Sequence, residues 1–174
     1  RVGADVDLFP LISSANVACG AHGGDPVTME QTVRAAREHG VAVGAHPGFP
    51  DRAGFGRRSM SLSPAEIYAE VIFQVGALEA FCQVGGVVMQ HVKAHGALYN
   101  LAMQEPDVER AIAMAVRDID PALRFFALPG TALERAGQEA GLQVAREAFA
   151  DRAYLPDGSL APRSLPGSMI HDPA

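Results

Sequence analysis

Apolar positions along the chain follow one repeated rhythm. A short apolar run ends in a glycine-rich polar loop, a helix-opening signal follows, and a stretch of helical periodicity closes at a glycine. The first strand is predicted near Ser13 to Cys19 and runs into Gly20-Ala21-His22-Gly23-Gly24. Asp25 and Pro26 then open a helix as N-cap and first helical residue, reaching about Glu38 and stopped by Gly40. Val41 to Ala45 reads as a buried parallel strand, and His46 to Leu62 as a long polar loop. Ser63-Pro64-Ala65-Glu66 is a capping box that opens a long helix to about Val84. A third strand over Val87 to Lys93 leads into a short helical piece and a stronger helix from Pro106 to Arg117. Strand four is Arg124 to Leu128, followed by Pro129-Gly130-Thr131 and a helix to Ala140; strand five is Gln143 to Ala148. From Asp151 to Pro173 the pattern is that of a loop.

Strands alternating with helices predict a parallel α/β fold in a single domain over residues 1–174. His22, His46, Lys93, His95 and the cluster from Glu147 to Arg152 all fall at or just past strand C-terminal ends. Sites assemble on that face in barrels and open sheets alike. A distorted or partial β/α barrel gathers these loops round one mouth, whereas an open sheet spreads them, so the barrel is expected. The chain opens on Arg1 and ends at Ala174 after a loop-like segment, so an N-terminal strand and a C-terminal segment are expected to lie outside it.

Composition adds limits. Hydrophobic content of 48% and charged content of 20% suit a globular protein. A net charge of −6 with a pI near 5.4 argues against nucleic acid. No apolar run approaches the roughly 20 residues that span a bilayer, so no membrane association is expected. Cys19 and Cys82 are too few for a disulfide framework, and a reducing cytoplasm is the default.

Lys93 changes the picture most. It is the single lysine among 14 basic residues, and it stands between His91 and His95. Residues two apart share one face of a strand, so the three form a polar row that an ordinary core would reject. A lysine is a compact point charge whereas arginine is a planar fork, so the two are not interchangeable. His22 lies in a glycine-flanked loop with little to pack against, suited to a general base or a metal ligand. Asp25 is first an N-cap, and Cys19 first a small buried residue. His46 runs into the rigid Pro47-Gly48 turn, and Asp51, Arg57 and Arg58 follow it as candidates to meet an anion. Asn16, Tyr99, Asn100, Glu147 and Arg152 complete the candidates for the mouth, with capping or surface ion pairs as their ordinary alternatives. His39 reads as a helix C-terminal residue, and nothing commends His171. A P-loop, a dinucleotide fingerprint, His-Glu-x-x-His and a Gly-x-Ser-x-Gly elbow are all missing from the sequence.

Three segments together carry a resemblance. They are Ser14-Ala15-Asn16-Val17-Ala18-Cys19-Gly20 with His22 and Gly24-Asp25-Pro26; Gly44-Ala45-His46-Pro47-Gly48-Phe49-Pro50-Asp51 with Gly54-Phe55-Gly56-Arg57-Arg58; and Val92-Lys93 with His95-Gly96-Ala97-Leu98-Tyr99-Asn100. Glu147 to Tyr154 and Pro162-Arg163-Ser164 extend it. In these the chain resembles the LamB/YcsF family, the A subunits of bacterial 5-oxoprolinase. Ala21 stands where the family usually has Phe, and Ala94 where it has Pro. The family also opens on an acidic strand that this sequence lacks, so site carboxylates, including a partner for Lys93, are expected there.

The resemblance implies a distorted barrel related to glycoside-hydrolase and deacetylase-like enzymes. It implies ATP-dependent opening of 5-oxo-L-proline to L-glutamate, with Mg2+ as the nucleotide's counter-ion and with subunits B and C as partners. Catalysis would fall to His22, His46, Lys93 and His95. Asn16, Asp51, Arg57, Arg58, Asn100, Glu147 and Arg152 would bind substrate or phosphate. Two alternatives stand beside it. One is a metal-dependent, deacetylase-like hydrolase with His22, Asp25, His46 and His95 as ligands. The other is a non-catalytic substrate-binding subunit.

Overall fold

The structure, a computed structural model, describes residues 5–156, 158–162 and 164–171. After a short 3-10 helix (Asp5–Leu11), strands and helices alternate: β1 (Ser14–Ala18), α1 (Pro26–His39), β2 (Ala42–His46), α2 (Pro64–Gly85) and β3 (Met89–Val92). There follow α3 (Gly96–Ala102), α4 (Pro106–Ile119), β4 (Arg124–Ala127), α5 (Ala132–Glu139) and β5 (Gln143–Arg146). The expected elements are present with ends displaced by at most two residues, and His46 closes β2 instead of opening the loop.

The helix signals act as the sequence predicts. Asp25 accepts from the Thr28 amide at 2.8 Å, and Gly40 closes α1 at φ 66°. Ser63 and Glu66 form a complete capping box at the start of α2. His39 bonds the Ala35 carbonyl, four residues back in α1. Beyond β5 the chain makes only two isolated antiparallel bridges among the described residues, Arg152 with Met169 and Tyr154 with Leu160.

All five strands are parallel and lie in sequence order, β1-β2-β3-β4-β5. Right-handed crossovers without a reversal of strand order place successive helices side by side on one face. Accordingly α1 packs on α2, α2 on α4, and α4 on α5. Val17, Val43, Ala45, Val92, Phe125 and Ala127 point to that helical layer and are all buried. The alternate positions form the inner face, which is concave. Asn16 on β1 reaches His91 on β3, and Lys93 beyond β3 reaches Glu147 beyond β5, each across a whole intervening strand. Strands two apart are separated by about 10 Å in the sheet, so such contacts need curling or a bare strand between. This is the partial β/α barrel expected.

One expectation is corrected. Helix α2 is long and apolar enough to cross a membrane by length and composition. Along one side Ile67, Val71, Val75, Leu78 and Cys82 are buried, and the helix packs on β2, β3, α1 and α4.

Candidate functional site

Three imidazoles meet at the C-terminal mouth, each delivered by a different strand. His22 follows β1, His46 ends β2 and His95 follows β3. The rings of His22 and His95 stack with centroids 3.9 Å apart and planes within 6°, and His46 meets His95 edge-on at 4.8 Å. His95 Nδ1 lies 3.0 Å from His46 Nε2. The outer nitrogens of this pair both face backbone carbonyls: His46 Nδ1 is 2.6 Å from the Lys93 oxygen, and His95 Nε2 is 2.8 Å from the Phe55 oxygen.

Glycines make room for the rings. A Cβ on Gly48 would lie 2.7 Å from His22 Nδ1, and one on Gly56 would lie 2.8 Å from His22 Cβ and 2.9 Å from His95 Cδ2. Beneath them Gln74, fully buried in α2, clamps the turn: its amide oxygen accepts from Gly48 N at 2.9 Å and its amide nitrogen donates to Gly48 O at 2.8 Å.

Burial dominates the titration of this cluster. It pushes the His22 imidazole down to about 4, with the neighbouring His95 adding to the effect. His46 is pushed down to about 3 by burial first, then by the charge that His95 and Lys93 would place beside it. For His95 burial again lowers the value, the Phe55 carbonyl opposes, and Arg57 and Lys93 lower it further.

A cavity of about 670 Å3 opens over this floor, within the range of small-molecule sites. His46, Arg57, Lys93, His95, Tyr99, Asn100 and Arg152 line it. Lys93 Nζ contacts Glu147 Oε2 and sits 4.6 Å from the centre of the Phe149 ring. Within this chain the partner of the lone lysine is Glu147. Tyr99 OH, Glu147 Oε1 and Arg152 Nε are buried without a hydrogen-bond partner. Tyr99 nevertheless lies near enough to Glu147 for that charge, after burial, to raise its phenol well above the usual range.

The remaining candidates are placed elsewhere. His22 is 1% exposed and is not among the cavity's lining residues; it reaches the site through the rings of His95 and His46. Asn16 accepts from His91 Nε2 at 2.9 Å on the inner sheet face below the mouth. Asp51 holds its own loop together, accepting from Gly54 N at 2.9 Å and from Arg58 Nε at 3.0 Å, and Arg58 holds its carboxyl down at about 2. Neither residue lines the cavity. Asp25 is the α1 cap. Burial pushes the Cys19 thiol up to about 12, which removes the thiolate a nucleophile needs.

No group of three His, Cys, Asp or Glu side chains is arranged to hold a metal ion among the described residues. At His46 and His95 each ring nitrogen faces a backbone carbonyl or the other ring. For a phosphate or carboxylate the fit is better, since Arg57, Lys93 and Arg152 border the cavity and Arg152 Nε lacks a partner.

Sequence reasoning missed four contributors. Phe149 lies two residues beyond Glu147 and so shares its face. Phe55, the one non-glycine residue at positive φ among those described, was legible only as a residue flanked by Gly54 and Gly56. Gln74 interrupts an apolar helix face. The wall formed by Leu155 and Ser159–Pro162 has no periodicity to betray it.

Fold and site together define a β/α-barrel-type protein with its chemistry at the strand C-terminal mouth. Comparison with known proteins makes that particular. The LamB/YcsF family model matches residues 1–174, and the chain belongs to the LamB/YcsF family. A Symbiobacterium thermophilum protein, named as the A subunit of 5-oxoprolinase, is 58% identical over 99% of this chain and 66% of its own length. A Thermus thermophilus protein of the same name is 57% identical over 98% of this chain and 68% of its own. The crystal structure of the lactam utilization protein from Thermus thermophilus superposes with a TM-score of 0.95 at 57% identity, covering 98% of this chain and 69% of that one. The chain thus spans about two thirds of the length of these relatives.

Proposed function

We propose that this chain is the lactam-binding component of a 5-oxoprolinase, opening 5-oxo-L-proline to L-glutamate together with partner subunits, B and C. The observation that carries the reading is the cavity itself: an anion-seeking rim of Arg57, Lys93 and Arg152 over a floor of two hydrogen-bonded imidazoles. Membership of a family whose relatives are named as the A component of 5-oxoprolinase supports it. The substrate is a small anion with a cyclic amide, and the cavity offers a group for each part. Arg57 and Arg152 suit its carboxylate as bidentate donors. Lys93, held by Glu147, suits charge that develops on the amide oxygen. His46 and His95 are the titratable groups at hand for proton movement at the ring nitrogen and at water.

A five-membered lactam recloses readily, because its own amine sits at high effective molarity beside the carboxylate. Coupling to ATP supplies the driving force for opening. The chain has no P-loop of its own, which favours a nucleotide site shared with or held by the partners.

The test is glutamate release from 5-oxoproline with and without ATP and the partner subunits. Activity is expected only with all components. Turnover by this chain alone would sink the requirement for partners, and no turnover in any combination would sink the lactamase reading.

A further inference from the structure

The hydrogen bonds of His46 and His95 impose a proton count. A carbonyl oxygen only accepts, so His46 Nδ1 must carry a proton toward Lys93 O, and His95 Nε2 must carry one toward Phe55 O. The contact between His95 Nδ1 and His46 Nε2 at 3.0 Å needs one more. Three protons are required, and two neutral imidazoles carry two. With three, the pair is a single cation. With two, one of the three contacts sets lone pair against lone pair.

Electrostatics of the cavity's own groups pull the other way. The groups that face the pair are His22 from the loop after β1, Arg57 from the loop after β2, and Lys93 from the end of β3. Tyr99 on α3 and Arg152 border the same cavity, and Glu147 is engaged by Lys93. Burial together with Arg57 and Lys93 disfavours a third proton. Geometry calls for the charge and the surroundings oppose it.

An anion seated against Arg57 and Lys93 removes the opposition. We propose that anion binding in this cavity is coupled to uptake of one proton by the His46–His95 pair, which becomes a shared imidazolium only when a carboxylate or phosphate is present. The proton comes from solvent, no bond other than N–H is made, and the third hydrogen bond forms as the anion arrives. This rests on the reading of the cavity as an anionic-lactam site and adds to it a charge state that follows the ligand. By linkage, affinity for the anion is greatest at low pH. It falls up to about tenfold per pH unit between the free and the liganded pKa of the pair.

Isothermal titration calorimetry of the full chain in buffers of differing protonation enthalpy counts the protons. The probes are 5-oxoproline and 2-pyrrolidinone, the same ring without its carboxylate. Uptake approaching about one proton per 5-oxoproline and near none for 2-pyrrolidinone is expected. In His95→Asn the amide replaces the Nδ1 donor but takes no charge, so 5-oxoproline should bind more weakly and without uptake, with far-UV circular dichroism reporting the fold. If that variant does not fold, the two titrations of the unaltered chain still decide. Binding of 5-oxoproline without uptake, equal uptake with 2-pyrrolidinone, or undiminished uptake in folded His95→Asn would overturn the coupling and leave the lactam reading intact. Failure of 5-oxoproline to bind at all would overturn both.

Discussion

Replacing Lys93 by methionine tests whether the lone lysine is held by Glu147 as described. The two side chains are 15% and 8% exposed, so the pair is largely out of water. Lys93→Met keeps the apolar stem and the packing on Phe149 but leaves the Glu147 carboxylate buried without a counter-charge. Breaking a buried pair from one side destabilises by about 3–5 kcal/mol, and the opening toward the cavity places this site near the lower end, about 3 kcal/mol. Glu147→Gln is milder, about 1–2 kcal/mol, because the ammonium keeps the Phe149 face and reaches water at the mouth. The double variant removes both charges, and about 1–2 kcal/mol below the unaltered protein is expected. The coupling is then about 2–4 kcal/mol, well beyond additive behaviour.

Urea unfolding followed by far-UV circular dichroism measures all four states, since the chain has no tryptophan to report by fluorescence. A double variant whose loss equals the sum of the two single losses would refute the pairing. So would a Lys93→Met protein within about 0.5 kcal/mol of the parent, the range of ordinary surface substitutions.

Three further outcomes follow from the same geometry. Lys93→Arg keeps the charge but puts a planar fork where a point charge meets Glu147 and the Phe149 ring, so glutamate release in the reconstituted system should fall at least about tenfold with folding retained; normal kinetics would remove any lysine-specific role. The buried neutral His22 and His91, both pushed down to about 4, take up no proton in the folded state while the unfolded chain does. Stability should therefore be full above about pH 6.5 and fall on acidification, by roughly 1.4 kcal/mol per pH unit for each histidine until about pH 4; a urea midpoint flat from pH 7 to 5 would contradict this. Gly44→Ala would put its Cβ 2.1 Å from the His91 ring, and since that ring is 2% exposed and bonded to Asn16 the loss should exceed about 2 kcal/mol, read as a lowered melting temperature.

The elements of this fold were legible because each is signalled locally. Asp25-Pro26 and Ser63-Pro64 with Glu66 open helices through bonds that close within four residues, and Gly40 and Gly86 end them. The barrel mouth was legible as well, because strand C-terminal ends and polar loops coincide in the pattern. What escaped depends on contacts between segments far apart in the chain. Nothing local distinguishes Arg57, which borders the cavity, from Arg58, which turns back onto Asp51. The lysine's partner lies 54 positions further on, as 147 minus 93 shows, and its Phe149 neighbour has no meaning until β3 and β5 face each other across the inner sheet.

Glycines offer the clue that connects these two levels. Gly44, Gly48 and Gly56 each lie where an added Cβ would strike an imidazole from another segment: His91 for the first, His22 and His95 for the other two. A fourth, Gly96, would bring its Cβ within 2.5 Å of the Gly56 carbonyl. The rings are thus seated directly on backbone, with no intervening side chain to change rotamer. Such seating fixes ring position without the conformational freedom that a loop-borne histidine otherwise loses on binding. It also holds the outer nitrogens of His46 and His95 on carbonyls that cannot donate in return, which is what leaves the pair one proton short when both are neutral. The glycine-rich loops at this mouth are therefore less a phosphate cradle than a mould for imidazoles, and the chemistry of the cavity follows from how tightly that mould fits.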